Sequence, residues 1–138
     1  MREILFRAKA INRVPGREYR TKYKNGDWVY GLLEKPRYPE FPELPAEMRN
    51  TDGVSGIEVD FDTIGQYTGL KDKKRKKIFE GDIVRVVSSG EIAVVKWDEI
   101  ESRFYFDVEG YGICIVSKAE VLGNIYDNPE LLGGDTDV

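Results

Sequence analysis

The strongest chemical signal in this sequence is a run of cations. Lys71, Lys73, Lys74, Arg75, Lys76 and Lys77 fall within seven residues, broken only by Asp72. Like charges at this density repel one another, so folding alone does not account for them. Contact with phosphates would, because each phosphate met by Lys or Arg releases condensed counterions. Aromatic residues flank the run, and Tyr67 is a candidate stacking face for a base, with Phe79 beyond. The set Lys71, Lys73, Lys74, Arg75, Lys76, Lys77 and Tyr67 is therefore a candidate nucleic-acid contact. The plainer reading is a solvated turn that keeps a hairpin soluble.

Other residue sets point away from catalysis. The chain has no His and a single Cys, Cys114, read as a buried and inert core residue. Only carboxylates, Lys and Tyr remain as acid, base or nucleophile. No glycine-rich phosphate loop is present, so no catalytic residue and no cofactor is assigned. Glu58, Asp60 and Asp62 alternate with Ile57, Val59 and Phe61, and carboxylate oxygens suit hard cations. No second ligand block has diagnostic spacing, so the three acids read as the solvated face of an edge-compatible strand, and no metal is expected.

Apolar residues supply the rival class of function, docking to another protein. Trp28, Tyr30, Tyr38 and Phe41 are the candidate surface. Pro36, Pro39, Pro42 and Pro45 recur every third residue, the repeat of a polyproline II helix. That would line the prolines along one face, and Tyr38, Phe41 and Leu44 along another. Such a ridge can enter an aromatic groove on a partner. The favoured reading is an extended connector across its own domain, with the aromatic residues tucked down.

These residues need elements to carry them. A chain of 138 residues with 41% hydrophobic and 33% charged content can bury a core as one soluble domain. Its net charge of −4 argues weakly against general nucleic-acid binding, though it conceals local patches. No segment reaches the roughly 18 consecutive apolar residues that span a bilayer. The amino terminus shows no apolar signal core and the lone Cys cannot form an internal disulfide, so a cytoplasmic protein without membrane contact is expected.

The periodicity is that of strands. Residues 2 to 11 place Ile4, Phe6, Ala8 and Ala10 on one face. Pro15-Gly16 marks a turn, residues 19 to 24 a strand, Asn25-Gly26 a hairpin turn, and Trp28 to Leu33 the returning strand. Residues 46 to 56 read as a loop, with a helical turn at 46 to 49. Gly65 and Gly69 interrupt a strand in the manner of a bulge, and Glu80-Gly81-Asp82 turns into the run Ile83 to Val87. Strands follow at Ile92 to Trp97, Phe104 to Val108 and Ile113 to Val116. Either Phe104 and Phe106 or Tyr105 face inward. Ser117 with Glu120 suggests a capping box on a short helical turn. Leu122 to Tyr126 is a last strand, Asn128-Pro129 opens a helical turn, and the tail from 133 frays. Short strands with tight turns from about residue 78 have the signature of a small barrel.

Several segments resemble one family in order: REILFRA at 2–8, GDWVYG at 26–31, TIGQYTGLKDK at 63–73, IFEGDIV at 78–84 and VLGNIYDNPELL at 121–132. Together they resemble the YopX family of phage and prophage proteins along nearly the whole chain. In the central turn, Lys74-Arg75 stands where the family usually has Asn-Gly. The resemblance implies a β-rich fold with a small SH3-like barrel, a phage origin in a bacterial host cell, and an unsettled activity; it brings no catalytic residues. The expectation is a single all-β domain over 1–138, mainly β with one or two short helical turns. Amino-terminal β-hairpins and the proline connector (1–62) would pack with an SH3-like barrel (63–132), followed by a frayed tail (133–138). The expected role is a non-enzymatic module touching nucleic acid. The alternative is a self-associating or phage- or host-protein-binding module.

Overall fold

The computed structural model describes residues 3–12, 22–36, 38–115 and 118–133. The fold is mainly β, and the chain divides into two compact units, Met1–Gln66 and Tyr67–Val138, with the break inside one strand.

Alternation of small and β-branched residues builds the first unit. Its strands are β1 (Phe6–Lys9), β2 (Trp28–Lys35), β3 (Ala46–Asn50), β4 (Ile57–Val59) and the start of β5 (Gly65–Lys71). They pair antiparallel in the order β4-β3-β2-β1-β5, with Gly65 and Gln66 opposite Arg7 and Phe6. Every second residue enters one core: Ala8, Ala10, Val29, Ala46, Met48, Ile57 and Val59, with Phe6, Tyr23, Leu33 and Ile64 against it. The sheet curls back on itself. Val59 bridges Ala10, Ile11 N–H donates to the Glu58 carbonyl at 2.9 Å and Asp60 N–H to that of Lys9 at 2.8 Å. Gly31 permits the closest approach of β2 to β3, because a Cβ there would lie 1.9 Å from the Arg49 carbonyl oxygen.

Three expectations change in this unit. Residues 46–49 are a strand, because Ala46 and Met48 alternate into the core while Glu47 and Arg49 point out, and burial overrides local helical preference. The Ile57–Val59 strand ends two residues early. The Asp60 carboxylate accepts from Asp62 N–H at 3.0 Å and starts a 3₁₀ turn over Phe61–Thr63, which leaves Phe61 exposed. The Asn25-Gly26 turn forms, but β2 returns against β1; residues 22–24 lie outside any strand. The Pro15-Gly16 turn and residues 19–21 fall outside the described residues, as do Arg2, Val116, Ser117 and the tail from 134.

The second unit holds the rest of β5, then β6 (Lys77–Phe79), β7 (Asp82–Val86), β8 (Ile92–Asp98), β9 (Arg103–Val108), β10 (Tyr111–Cys114), β11 (Ala119–Asn124) and a 3₁₀ turn over Pro129–Leu132. Five strands run antiparallel in the order β10-β9-β8-β7-β11, so four form a meander and the fifth returns beside the first. The core is Ile78, Val84, Val86, Ala93, Val95, Phe106, Val108 and Ala119. Phe104 and Phe106 both face inward, which settles the choice the alternation left open. The expected bulge lies between Tyr67 and Lys71, where Gly69 takes φ +88°.

Two readings here are corrected. Cys114 is exposed: Ile113 and Ile115 pack against the core, and alternation turns the residue between them outward. No helical turn occupies 119–121. β11 begins at Ala119, and the final strand covers 119–124 instead of 122–126, because Ala119 to Asn124 pair with β7.

Candidate functional site

The basic run is the connection between β5 and β6, and one acid shapes it. Asp72 is only 7% exposed. One of its carboxylate oxygens accepts from Lys74 N–H and Lys76 N–H, both at 2.8 Å, and the other from Val121 N–H at 3.0 Å. The Asp72 N–H donates to the Lys76 carbonyl at 2.7 Å, and Lys73 N–H to the Ala119 carbonyl at 3.1 Å. The loop is thus clasped along β11, which carries one edge of the five-stranded sheet. Burial alone would push the Asp72 carboxyl up. The hydrogen bonds from Val121, Lys76 and Lys74, with the Lys76 charge, outweigh burial and hold it below the usual carboxylate range.

With the backbone satisfied from below, the cations face out and divide into three groups. Lys73, Lys74 and Arg85 gather around Glu120: Lys74 Nζ lies 2.8 Å from one carboxylate oxygen, and Lys73 Nζ and Arg85 Nη1 each lie 3.9 Å from the other. Glu120 stands opposite Arg85 in the β7–β11 register. The hydrogen bond from Lys74 is the main cause that lowers the Glu120 carboxyl, and the same bond raises the Lys74 ammonium. Lys77 is half-buried, its ammonium 5.2 Å from the centre of the Tyr67 ring. Lys71, Arg75 and Lys76 are exposed.

Tyr67 leaves the candidate set. Its ring is 5% exposed, packed against Phe79 with centroids 5.6 Å apart, so it offers no open face for a base. The β5 period that orients the loop also turns Tyr67 inward.

The second candidate surface is partly assembled. Trp28 is half-buried, with the Arg7 guanidinium 4.7 Å and the Lys9 ammonium 5.4 Å from its ring centre. Tyr30 is exposed on the same strand. The proline connector joins β2 to β3 and is neither extended nor tucked down. Phe41 N–H donates to the Tyr38 carbonyl and Leu44 N–H to the Phe41 carbonyl, both at 3.0 Å. These are two successive turns with Pro39 and Pro42 in the second position, where the proline ring presets the required φ. Polyproline II has no such internal bonds. Tyr38, Phe41 and Leu44 stand 43%, 53% and 49% exposed.

Asp60 and Asp62 are exposed, Glu58 is half-buried, and among the described residues no three metal-ligating side chains gather. Sequence reasoning missed Asp72 and Glu120. An Asp entering a polar turn is a known backbone acceptor, and that signal was available. Glu120 had none, since its partners lie some 35 to 47 positions away in sequence.

The motif residues elsewhere also build turns. The buried Asp82 carboxylate accepts from Phe79 N–H at 2.8 Å. Asn124 Oδ1 accepts from Tyr126 N–H at 3.0 Å and Asp127 N–H at 2.9 Å, and Asn128 Oδ1 from Asn124 N–H at 3.2 Å.

The architecture defines an all-β protein with two antiparallel sheets whose most distinctive residues serve as backbone acceptors. Residues 16–133 match the profile of the family described as YopX protein, and the chain belongs to the YopX family. A comparison with curated proteins finds no match. Among solved structures, the chain is similar to the crystal structure of protein EF1440 from Enterococcus faecalis, at 23% identity and a TM-score of 0.52, over 96% of this chain and 99% of that one. At this identity the likeness concerns the fold alone. No helix among the described residues is long and apolar enough to cross a membrane.

Proposed function

We propose that the chain works as one YopX-like domain of phage or prophage origin, in the cytoplasm of a bacterial host, binding nucleic-acid phosphates through the 71–77 loop without catalysis. The connectivity of the second unit, a meander whose fifth strand returns to the first, is read as an SH3-like platform for that loop. One observation carries the reading. Arg75 holds φ +68°, a left-handed conformation that costs a side-chain-bearing residue about 1 kcal/mol and that Gly or Asn adopts readily. An exposed cation kept at a strained turn position suggests selection for charge over turn stability.

Fluorescence anisotropy with labelled single- and double-stranded oligonucleotides across a salt series tests this. The Lys71→Ser, Arg75→Ser, Lys76→Ser triple variant leaves the Asp72 and Glu120 interactions in place. The parent should bind, and on duplex DNA the variant's log–log salt slope should fall by about 0.9 for each phosphate it no longer neutralises. A parent that fails to bind at low salt would sink the proposal.

A second reading, docking to a protein partner or a second copy, is favoured by the Tyr38, Phe41 and Leu44 ridge. Sedimentation velocity over a concentration range separates the two. Self-association that vanishes in the Tyr38→Ser, Phe41→Ser, Leu44→Ser variant would support it. A strict monomer at high concentration would remove the second-copy form.

A further inference from the structure

We infer that Glu120 is a built-in competitor for the ligand of the basic loop, holding three of its cations in reserve so that only a polyanion with closely spaced phosphates displaces it. This deepens the nucleic-acid reading and rests on it.

The geometry divides the loop by function. Alternate residues of β11 grip it differently: Ala119 and Val121 hold its backbone, while Glu120 between them takes Lys73, Lys74 and, across the strand pair, Arg85. The Glu120 side chain is 17% exposed against 70% for Lys74, so the acid is the fixed partner and the lysine the mobile one. An arriving phosphate meets Lys71, Arg75 and Lys76 in open solvent. It meets the other three only by breaking ion pairs already made, against the repulsion of the carboxylate. A single phosphate offers two charges at one point and replaces those pairs poorly. A chain of phosphates first anchored on the open cations brings its neighbours in at high effective concentration. The loop should therefore discriminate polyanions from free phosphate.

The test is Glu120→Gln, which keeps the shape and removes the charge, with Lys73→Ser, Lys74→Ser made in both backgrounds. Folding is checked by thermal melting, and binding by anisotropy against a labelled duplex over a salt series. Glu120→Gln should bind several-fold more tightly than the parent at moderate salt. Its slope should steepen by up to about 0.9 for each freed cation. The double lysine change should cost less than about twofold in the parent and abolish the gain in the Gln background, a non-additivity that purely structural damage would not produce. Inorganic phosphate, matched in phosphate groups to the duplex, should compete poorly with either form.

If the parent binds and Glu120→Gln binds no tighter, the inference fails and the nucleic-acid reading stands. If only Glu120→Gln binds, the competitor role holds and the parent's activity is withdrawn. If neither folded protein binds, both fall. If Glu120→Gln does not fold, the parent background decides: a double lysine change as costly as Lys71→Ser, Arg75→Ser, Lys76→Ser overturns the inference, and a nearly silent one supports it.

Discussion

Two surface connections dominated the sequence, and the structure forms them in opposite ways. The β2–β3 connector is shaped from within, by prolines that preset their own φ and close two successive turns. The β5–β6 loop is shaped from beneath, by a buried carboxylate that reaches its own backbone and β11 together. Both present exposed side chains, yet they relate differently to the fold. The apolar ridge can change without disturbing the sheet, whereas the basic loop is tied to a strand some fifty residues away (Asp72 to Val121).

The sharpest way to break the connector is through its anchor. Gly31→Ala drives a Cβ into the Arg49 carbonyl and should force β2 and β3 apart. The expected loss is about 3–5 kcal/mol, read from the urea midpoint. A loss under about 1 kcal/mol would mean that this pairing does not hold the connector's ends.

Next comes the loop's own anchor. Asp72→Ala removes the acceptor of three N–H groups and should cost about 2–4 kcal/mol. The pH dependence has a definite sign. The folded-state carboxyl lies below its unfolded value, so its contribution is complete above about pH 4 and is lost as pH falls through the folded value. Asp72→Asn should flatten that acid limb of the stability curve. An unchanged limb would remove Asp72 as the loop's organiser.

A smaller effect of opposite sign is expected at Arg75→Gly. Relief of the left-handed strain should stabilise by about 0.5–1 kcal/mol, a rise in Tm of about 2–4 °C, while oligonucleotide affinity falls. A stabilised variant with unchanged affinity would remove the functional reason for the arginine.

The smallest effect sharpens the contrast. Tyr38→Ser, Phe41→Ser and Leu44→Ser should each shift stability by less than about 0.5 kcal/mol. A loss above about 1 kcal/mol for any of them would mean that the ridge packs down after all.

Strand positions were legible where alternation ran uninterrupted: Phe6, Ala8 and Ala10, then Val29, and Ile57 with Val59. Turn chemistry was legible at Asn25-Gly26, at Glu80-Gly81-Asp82 and at the Gly69 bulge, because backbone conformation there depends on one or two adjacent residues. The helical turns expected at 46–49 and 117–121 failed for a common reason. Local preference competes with burial, and at Ala46, Met48 and Ala119 burial won.

The sequence by itself determined the β class, the family likeness and the place of the charged loop, since composition, periodicity and short motifs are properties of neighbours along the chain. The tertiary structure alone decided that Tyr67 is closed and Cys114 open, that Asp72 builds the loop, and that Glu120 holds part of its charge in check. Those outcomes depend on which distant strand lies alongside, and pairing register is set by the whole sheet.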